Sequence, residues 1–343
     1  MKDINILGID LAKTIFHIVA LNAEGNKTLA KKLHRDEFLS YVSFNIPTST
    51  LIVMEACGSC HYWARRFQQK GFTVKLLKPI DVKAFARSRQ KNDTNDALSI
   101  ARAGRDPEIK SVRIKNQTEQ EISWLHKRRQ HIIKQRVRMS NGLMSDLLEF
   151  GYCVKMPKAR FAKEASEILQ EAKEDGWISA SLYERMQEIA EEIAMLLSQE
   201  AMIDKEIKAL NCESEEAKIL KTIPGIGEIN ANILSIAAFD HYDDCRSFAA
   251  SLGLVPKQNS TGGKVSLGSI TKKGDRYIRT MLIQGGRSIV VRAKIQKNPS
   301  DPLIKWAKEL LDRMSFNKAC VAVANKLARI AYVCVTRKCT YAY

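Results

Sequence analysis

Near its N-terminus the chain reads Ile6-Leu7-Gly8-Ile9-Asp10-Leu11-Ala12-Lys13, an apolar run that ends on the single carboxylate of Asp10. A second strand-like run, residues 14–20, follows at once. A charge on an otherwise buried strand costs free energy unless it is paired or bound to a metal ion. The stretch therefore predicts the end of a buried strand at which Asp10 needs a partner.

Three further acids occupy comparable places in the sequence. Glu55 closes the apolar run 50–55, and Asp93 and Asp96 lie where a helical pattern begins. Two strand-end acids and an Asp-x-x-Asp pair at a helix start can converge on one cluster of oxygen ligands. Hard divalent cations bind such clusters, and two-metal phosphoryl-transfer sites use them. We predict that these three acids join Asp10 in a metal site.

Strand-like and helical patterns alternate up to about residue 110. The strand-like runs are residues 4–10, 14–22, 27–34, 50–55 and 72–77, and the helical patterns are residues 36–43, 62–70 and 93–103. Three early strands followed by β-α-β units predict a mixed sheet with helices packed on it. An acid in the first strand and another in the fourth is the layout of the ribonuclease H-like fold of RuvC type. The alternative is another small α/β domain in which the acids coincide by chance.

The composition favours a nucleic-acid partner. The 343 residues are 45% hydrophobic, enough for two or three domains with cores, and the formal net charge is +17. Such an excess favours a polyanionic partner, and a merely basic surface is the alternative. We see no signal peptide and no apolar run that approaches the length of a membrane span, so we expect no membrane partner. The 8 scattered cysteines predict reduced thiols in a cytoplasm, bacterial or archaeal.

Residues 115–150 have the pattern of a long helix whose first half is strongly basic. Its clustered cations are Lys127, Arg128, Arg129, Lys134, Arg136 and Arg138. Such a run is often a solvated helix face. In a chain this basic we favour a helix that contacts phosphates.

Glutamates become common after Pro157, and apolar residues then step by four and three along one helix. The series is Leu182, Met186, Ile189, Ile193, Leu196, Ile203, Ile207 and Leu210, interrupted only by Glu200. This heptad predicts a coiled-coil arm. Its seam packs either within the monomer as a helical hairpin or between two subunits, and a projecting arm favours the second.

The last third has mostly helical patterns. The stretch Thr222-Ile223-Pro224-Gly225-Ile226-Gly227 lies between two of them, as in a helix-hairpin-helix motif. In that motif Gly225 and Gly227 let backbone N–H groups approach a phosphate closely. The alternative is a plain glycine turn between packed helices.

A glycine loop follows, Asn259-Ser260-Thr261-Gly262-Gly263-Lys264. It places small hydroxyl residues ahead of a basic segment whose cations are Lys264, Lys272, Lys273, Arg276 and Arg279. This arrangement suits attack on a phosphodiester, or binding of one. A basic surface hairpin fits the composition equally well.

Other motifs carry less weight. Cys57-Gly58-Ser59-Cys60 followed by His61 resembles half of a zinc site, but no second pair with suitable spacing follows. We find neither a Walker A motif nor a Gly-x-Gly-x-x-Gly motif. A sugar-kinase or actin-like ATPase would need further glycine-rich phosphate loops in the N-terminal domain.

With these motifs in order, the chain resembles the DEDD transposases of the insertion-sequence family that includes the Piv DNA invertase, also described as bridge-RNA-guided recombinases. The resemblance covers nearly the whole chain. It rests on residues 8–13, 54–58, 93–97, 223–227 and 256–279.

The resemblance implies an α/β plus α fold with three parts. These are a RuvC-like DEDD catalytic domain with the basic helix (1–150), a coiled-coil arm (151–215), and a helical transposase domain with the serine loop (216–343). The four family acids match Asp10, Glu55, Asp93 and Asp96, with Mg²⁺, as two ions, for the cofactor. The nucleophilic serine falls in the glycine loop. Many relatives have two serines or Glu-Ser before the glycines, whereas this chain has Ser260-Thr261. Since serine is the nucleophile type of the family, we choose Ser260 and keep Thr261 as the alternative.

We therefore expect a DNA transposase or site-specific recombinase whose serine attacks a DNA phosphodiester with metal assistance. The resemblance further implies double-stranded donor and target DNA, a structured noncoding RNA that pairs with both, and a homo-oligomer, dimeric through the coiled coil and tetrameric overall. One alternative is a RuvC-like metal-dependent nuclease that cuts branched DNA through water, without a serine intermediate. Another is a non-catalytic nucleic-acid-binding protein in which the acids are structural.

Overall fold

A computed structural model describes residues 3–86, 93–155, 160–259, 261 and 265–342. The chain divides into two compact units, Met1–Gln120 and Glu121–Tyr343. The boundaries that we expected near residues 150 and 215 both lie within the residues of the second unit, and the division into three parts stays a prediction.

The first unit has a mixed α/β architecture, as the sequence predicts. Its strands are β1 (Ile6–Asp10), β2 (Ile15–Leu21), β3 (Lys27–His34), β4 (Leu51–Glu55) and β5 (Thr73–Leu77). Its helices are α1 (Arg35–Asn45), α2 (Cys60–Gln69), α3 (Pro79–Lys83) and α4 (Asp93–Arg105). The sequence patterns predict all of these except the short helix α3.

The five strands form one sheet in the order β3-β2-β1-β4-β5. Strand β2 pairs antiparallel with both β1 and β3, whereas β4 pairs in parallel with both β1 and β5. Ile9 lies opposite Met54 in the parallel pair. Because parallel strands share their carboxyl ends, Asp10 and Glu55 both end their strands at the same edge. The sheet is consistent with a RuvC-like domain.

Helices cover the two faces of this sheet. One face packs against α1 and α2 through edge-to-face aromatic pairs, with the Phe16 and Phe38 ring centroids 4.5 Å apart and those of Phe38 and Trp63 5.0 Å apart. The other face packs against α4, where Val19 and Val53 are buried in one cluster with the alanines of the helix. Full burial of each large apolar side chain stabilises the fold by about 1.5–3 kcal/mol.

The second unit is mainly helical. Its helices are α5 (Gln117–Glu149), α6 (Phe161–Glu174), α7 (Ala180–Asn211), α8 (Glu215–Lys221), α9 (Glu228–Ser235), α10 (Cys245–Ser251), α11 (Arg276–Ile295), α12 (Pro302–Leu311) and α13 (Phe316–Thr336). The strands β6 (Pro256–Gln258) and β7 (Leu267–Ile270) form an antiparallel hairpin between α10 and α11.

The predicted heptad lies on α7, and its apolar seam is buried within this chain. Ile193 belongs to a buried cluster with Leu143 and Leu147 of α5 and with side chains of α6. Farther along α7, Ile203 and Ile207 are buried against Ile132 of α5. The helices α5 and α7 therefore form an antiparallel hairpin. Heptad side chains are therefore covered inside one chain, and pairing of two subunits through the arm stays a prediction.

The helix α13 is long and apolar enough to cross a membrane by length and composition, with a mean hydropathy of 1.4. This corrects our expectation that no apolar run reaches such a length. Its side chains at Val323, Leu327 and Ala331 are buried in the largest core of the second unit. Gly286 of α11 lets the helices touch, since a Cβ there would lie 2.5 Å from the backbone oxygen of Cys320.

Candidate metal centre and nucleic-acid interface

Three of the four predicted acids converge in the first unit. Asp10, Asp93 and Asp96 each bring a carboxylate oxygen to within 4.8 Å of the others. Glu55 ends the neighbouring strand β4 at the same sheet edge. Burial raises the pKa of Glu55, and the charge of Asp96 raises it further. All four carboxylates therefore act on one another in one small region.

Gly8 explains how α4 delivers its acids to Asp10. A Cβ at Gly8 would lie 2.4 Å from the backbone oxygen of Ala97 and 2.5 Å from the backbone nitrogen of Ala101. The backbone of α4 thus lies directly on β1, a distance that a side chain would prevent. Its first turn, with Asp93 and Asp96, is held over the end of that strand. Acids in a first helical turn also suit the partial positive charge of the helix N-terminus.

The electrostatics of the cluster fit a divalent cation. Burial, and then the charges of Asp96, Asp93 and Glu55, raise the pKa of Asp10 to about 6, although His17 lowers it. The three carboxylate charges repel that of Asp10, and a cation bound among them would relieve this repulsion. Carboxylate oxygens are the ligands that Mg²⁺ and similar hard cations take. The donor set is therefore suited to the predicted metal.

Sequence reasoning missed His17, which lies opposite Asp10 in the antiparallel β1–β2 pair. Its Nε2 is 3.3 Å from the Asp93 carboxylate, and its Nδ1 is 3.4 Å from the Thr94 hydroxyl. The ring is buried, and its two contacts hold the start of α4 beside the sheet. One signal was available: His17 is the only polar residue in the run 15–21.

The predicted phosphate-binding cations of α5 separate into two groups. Lys127, Arg128, Lys134 and Arg138 are exposed. Arg129 and Arg136 instead turn toward acids of α7. The Arg129 Nε is 2.5 Å from the Asp204 carboxylate, and the Arg136 Nε is 3.3 Å from the Glu200 carboxylate. Those two guanidinium groups are neutralised inside the second unit.

The turn between α8 and α9 contains the predicted glycines. Gly225 has φ +81° and lies against α11, where a Cβ would be 2.8 Å from the backbone oxygen of Gly285. This contact alone requires glycine. Gly227 is the residue before α9, and a Cβ there would meet no atom within 4 Å. Phosphate binding by this turn stays a prediction.

The hairpin β6–β7 holds the predicted serine loop. Ser260 and Lys264 lie outside the described residues, whereas Thr261 is exposed. After the hairpin, the other predicted cations do not share one environment. Lys272, Lys273 and Arg276 are exposed.

Arg279, predicted to bind nucleic acid, is buried. Its Nη1 donates hydrogen bonds to the backbone oxygens of Leu252 (2.9 Å) and Lys273 (3.1 Å). These oxygens belong to the segments that enter and leave the hairpin. Arg279 therefore ties the two ends of the hairpin together, and nucleic-acid binding by its exposed neighbours stays a prediction.

Comparisons with known proteins match both ends of the chain and nearly its whole length. Residues 7–151 match a family model described as "Transposase", and residues 217–300 match one described as "Transposase IS116/IS110/IS902 family". A probable family 20 transposase of Pseudomonas aeruginosa is 33% identical over 337 residues, which cover 98% of each chain. The transposase for insertion sequence element IS1328 of Yersinia enterocolitica is 35% identical over 339 residues, again 98% of each. A pilin gene-inverting protein of Moraxella bovis is 24% identical over 351 residues, covering 96% of this chain and 95% of its own.

Proposed function

Since the chain belongs to the IS116/IS110/IS902 transposase family, which confirms the resemblance seen in the sequence, we propose that it recombines DNA and thereby moves an insertion sequence. The observation that carries this proposal is the convergence of Asp10, Asp93 and Asp96 within 4.8 Å. Gathering three carboxylates beside the end of β1 costs free energy that a merely structural site has no reason to bear. A metal-dependent reaction on DNA phosphodiesters gives them a role.

The acids are assigned as ligands of Mg²⁺. Asp10, Asp93 and Asp96 hold the metal, with Glu55 completing the set from β4. Two ions bound there would neutralise the charge that builds up on the scissile phosphate. His17 keeps Asp93 at the end of β1, and Gly8 keeps the whole first turn of α4 there.

Ser260 is assigned as the nucleophile. Its oxygen forms a bond to phosphorus while the bond from phosphorus to the leaving DNA oxygen breaks. The serine proton passes to a carboxylate of the acid cluster of a partner subunit, and the leaving oxygen takes a proton from solvent. The phosphoserine ester conserves the bond energy for rejoining, which hydrolysis would lose. The exposed cations after the hairpin, Lys272, Lys273 and Arg276, suit contacts with neighbouring phosphates.

The proposed partners are double-stranded donor and target DNA and a structured noncoding RNA that selects both by base pairing. Protein contacts would then go mainly to backbones. The exposed α5 cations Lys127, Arg128, Lys134 and Arg138 are suited to this, and the net charge of +17 supports a polyanionic partner. The protein works as a homo-oligomer, dimeric through the coiled-coil arm and tetrameric overall. The chromosome as substrate places the reaction in a bacterial or archaeal cytoplasm.

A strand-exchange assay with a covalent-adduct readout tests the proposal. Asp10→Asn abolishes exchange and leaves DNA binding intact, while Ser260→Ala abolishes the protein–DNA adduct. Thr261→Ala keeps most activity, because the hindered secondary alcohol is not the attacker. Mixing the Asp10→Asn and Ser260→Ala proteins restores some exchange if the site is shared. Metal-dependent cutting without any adduct would instead identify the water-using nuclease.

A further inference from the structure

One face of α5 combines cations with an aromatic side chain. Exposed residues recur along it every three or four positions, which is the spacing of one helical face. The members are Trp124, Lys127, Arg128, His131, Lys134 and Arg138. We call this set the tryptophan–cation face. At about 1.5 Å per residue it extends roughly 21 Å along the helix. No acidic residue occurs between Glu121 and Asp146.

The face keeps its charge although α5 pairs with an acidic helix. Two acids of α7, Glu200 and Asp204, contact α5. They form ion pairs with Arg129 and Arg136, which point away from this face. Arg128 donates a hydrogen bond to a neutral group, the Gln199 side-chain oxygen at 3.1 Å, and forms no ion pair with an acid among the described residues. The remaining positive charge is therefore available to a ligand.

Trp124 is the unusual member of the face, since its ring is 62% exposed. Trp63 is buried in the core of the first unit, and the Lys326 ammonium lies over the Trp306 ring, 4.3 Å from its centroid. Trp177 is equally exposed, at 67%, but follows the acidic end of α6. Only Trp124 joins an open ring face to a row of cations.

We propose that the tryptophan–cation face binds a nucleic-acid strand that has an unpaired base, with that base stacked on Trp124. Lys127, Arg128, Lys134 and Arg138 would contact the phosphates of the same strand. A paired base is already stacked on its neighbours within a duplex, whereas an unpaired base offers its flat side to an aromatic ring. This inference rests on the proposed nucleic-acid substrate and adds which structural state of the strand the helix selects.

The test measures affinity by fluorescence anisotropy with the full-length protein. The probes are a labelled single-stranded RNA, a single-stranded DNA of the same sequence, and the matching DNA duplex. Trp124→Ala weakens binding of single strands by about 5- to 100-fold, the usual effect of losing one stacked base, and leaves duplex binding unchanged. Trp124→Phe retains most of the affinity because it keeps an aromatic face. Comparing RNA with DNA tells which nucleic acid supplies the base.

Trp177→Ala is the matched control, because it removes an equally exposed ring from an acidic surface. It leaves all three affinities unchanged. In addition, single strands quench the tryptophan emission of the wild type and of Trp177→Ala more than that of Trp124→Phe. Circular dichroism checks that each variant folds.

Equal weakening of single strands and duplex by Trp124→Ala would overturn the inference, and so would unchanged affinity for every probe. An effect of Trp177→Ala as large as that of Trp124→Ala would also overturn it. The measurement needs no cleavage, so a protein that fails to exchange strands still gives a readable answer. Failure of the proposed reaction and failure of this binding site are thereby told apart.

Discussion

The Glu200 carboxylate lies 3.3 Å from the Nε of Arg136, inside the hairpin of α5 and α7. The Nη2 of Arg129 is 3.8 Å from the same carboxylate. Glu200 is the residue that interrupts the heptad of α7, and it is buried. Its negative charge is therefore paired with two arginines of the facing helix, at a heptad position that an apolar side chain would normally occupy.

Removing one partner of this ion-paired group is expected to be costly. Glu200→Ala leaves Arg136 without its acid in a buried place, which lowers the free energy of unfolding by about 3–5 kcal/mol. Denaturant unfolding of the full chain measures it. Glu192→Ala, an exposed glutamate on the same helix, changes stability by less than about 0.5 kcal/mol. Equal effects of the two changes would show that the ion pair is unimportant.

Gly8→Ala tests the contact that positions the acids. The added Cβ pushes α4 away from β1, which lowers stability by about 1–3 kcal/mol and weakens the binding of Mg²⁺. Thermal unfolding with and without Mg²⁺ measures both effects. Gly142→Ala, on an exposed part of α5 where a Cβ meets no atom within 4 Å, is expected to stabilise the protein by about 0.5–1 kcal/mol. A Gly8→Ala protein with unaltered metal affinity would contradict the assigned geometry.

Asp10→Asn is expected to stabilise the metal-free protein. The pKa of Asp10 rises from 3.8 to about 6 on folding, so its charge opposes the folded state increasingly as the pH rises from 3.8 to about 6. The amide removes that penalty, and after allowance for solvent screening the gain at pH 7 is about 1–2 kcal/mol. At pH 3 the two proteins have similar stability, since the carboxyl is then protonated in both states.

Divalent cations are expected to reverse the order of stability of the wild type and Asp10→Asn. Mg²⁺ raises the melting temperature of the wild type, because it binds the folded state alone, and raises that of Asp10→Asn much less. Differential scanning calorimetry at pH 7 with increasing Mg²⁺ measures the two responses. Identical shifts in both proteins would remove Asp10 from the metal site.

His126 predicts a separate loss of stability in acid. Its Nδ1 is 2.9 Å from the Tyr277 hydroxyl and its Nε2 is 3.0 Å from the Asn232 side-chain oxygen, and burial lowers its pKa from 6.5 to about 4. The unfolded state takes up the proton first, so stability falls as the pH decreases from 6.5 to about 4. The full loss is about 3 kcal/mol. His126→Gln is less stable at pH 7, but its stability changes less over this range in urea unfolding. If the stability of both proteins changed in parallel with pH, His126 would not be the cause of the loss in acid.

The two groups of cations on α5 are expected to respond differently to substitution. Lys127→Gln and Lys134→Gln each lower the salt slope of log K for nucleic acid by about 0.7–0.9 without destabilising the fold. Arg136→Gln instead destabilises the hairpin, because it removes from the buried Glu200 the nearer of its two arginine partners. Binding titrations at several salt concentrations, with unfolding measured in parallel, separate the two effects. An unchanged slope in the lysine variants would make this face a solvated surface.

Much of the fold could be predicted from local patterns. Strand runs with alternating or continuous apolar residues located β1 to β5. Asp10 and Glu55 stood out because charge is rare at the ends of buried strands, and Asp93 and Asp96 because they form an Asp-x-x-Asp pair at a helix start. These signals depend on residues near one another in the chain. Family membership could be inferred as well, since the order and spacing of short motifs are themselves properties of the sequence. The assignment of Ser260 stays a prediction of the same kind.

The partners of individual side chains were decided by the tertiary structure. Arg129 and Arg136 look like their exposed neighbours in the sequence, yet they pair with acids 75 and 64 residues away. In the sequence Arg279 looks like one more surface cation, but in the structure it is buried and donates hydrogen bonds to the backbone oxygens of Leu252 and Lys273. The heptad permitted a seam within one chain or between two. Helical periodicity states only which residues share a face, whereas the identity of the surface that covers that face depends on how distant segments pack together.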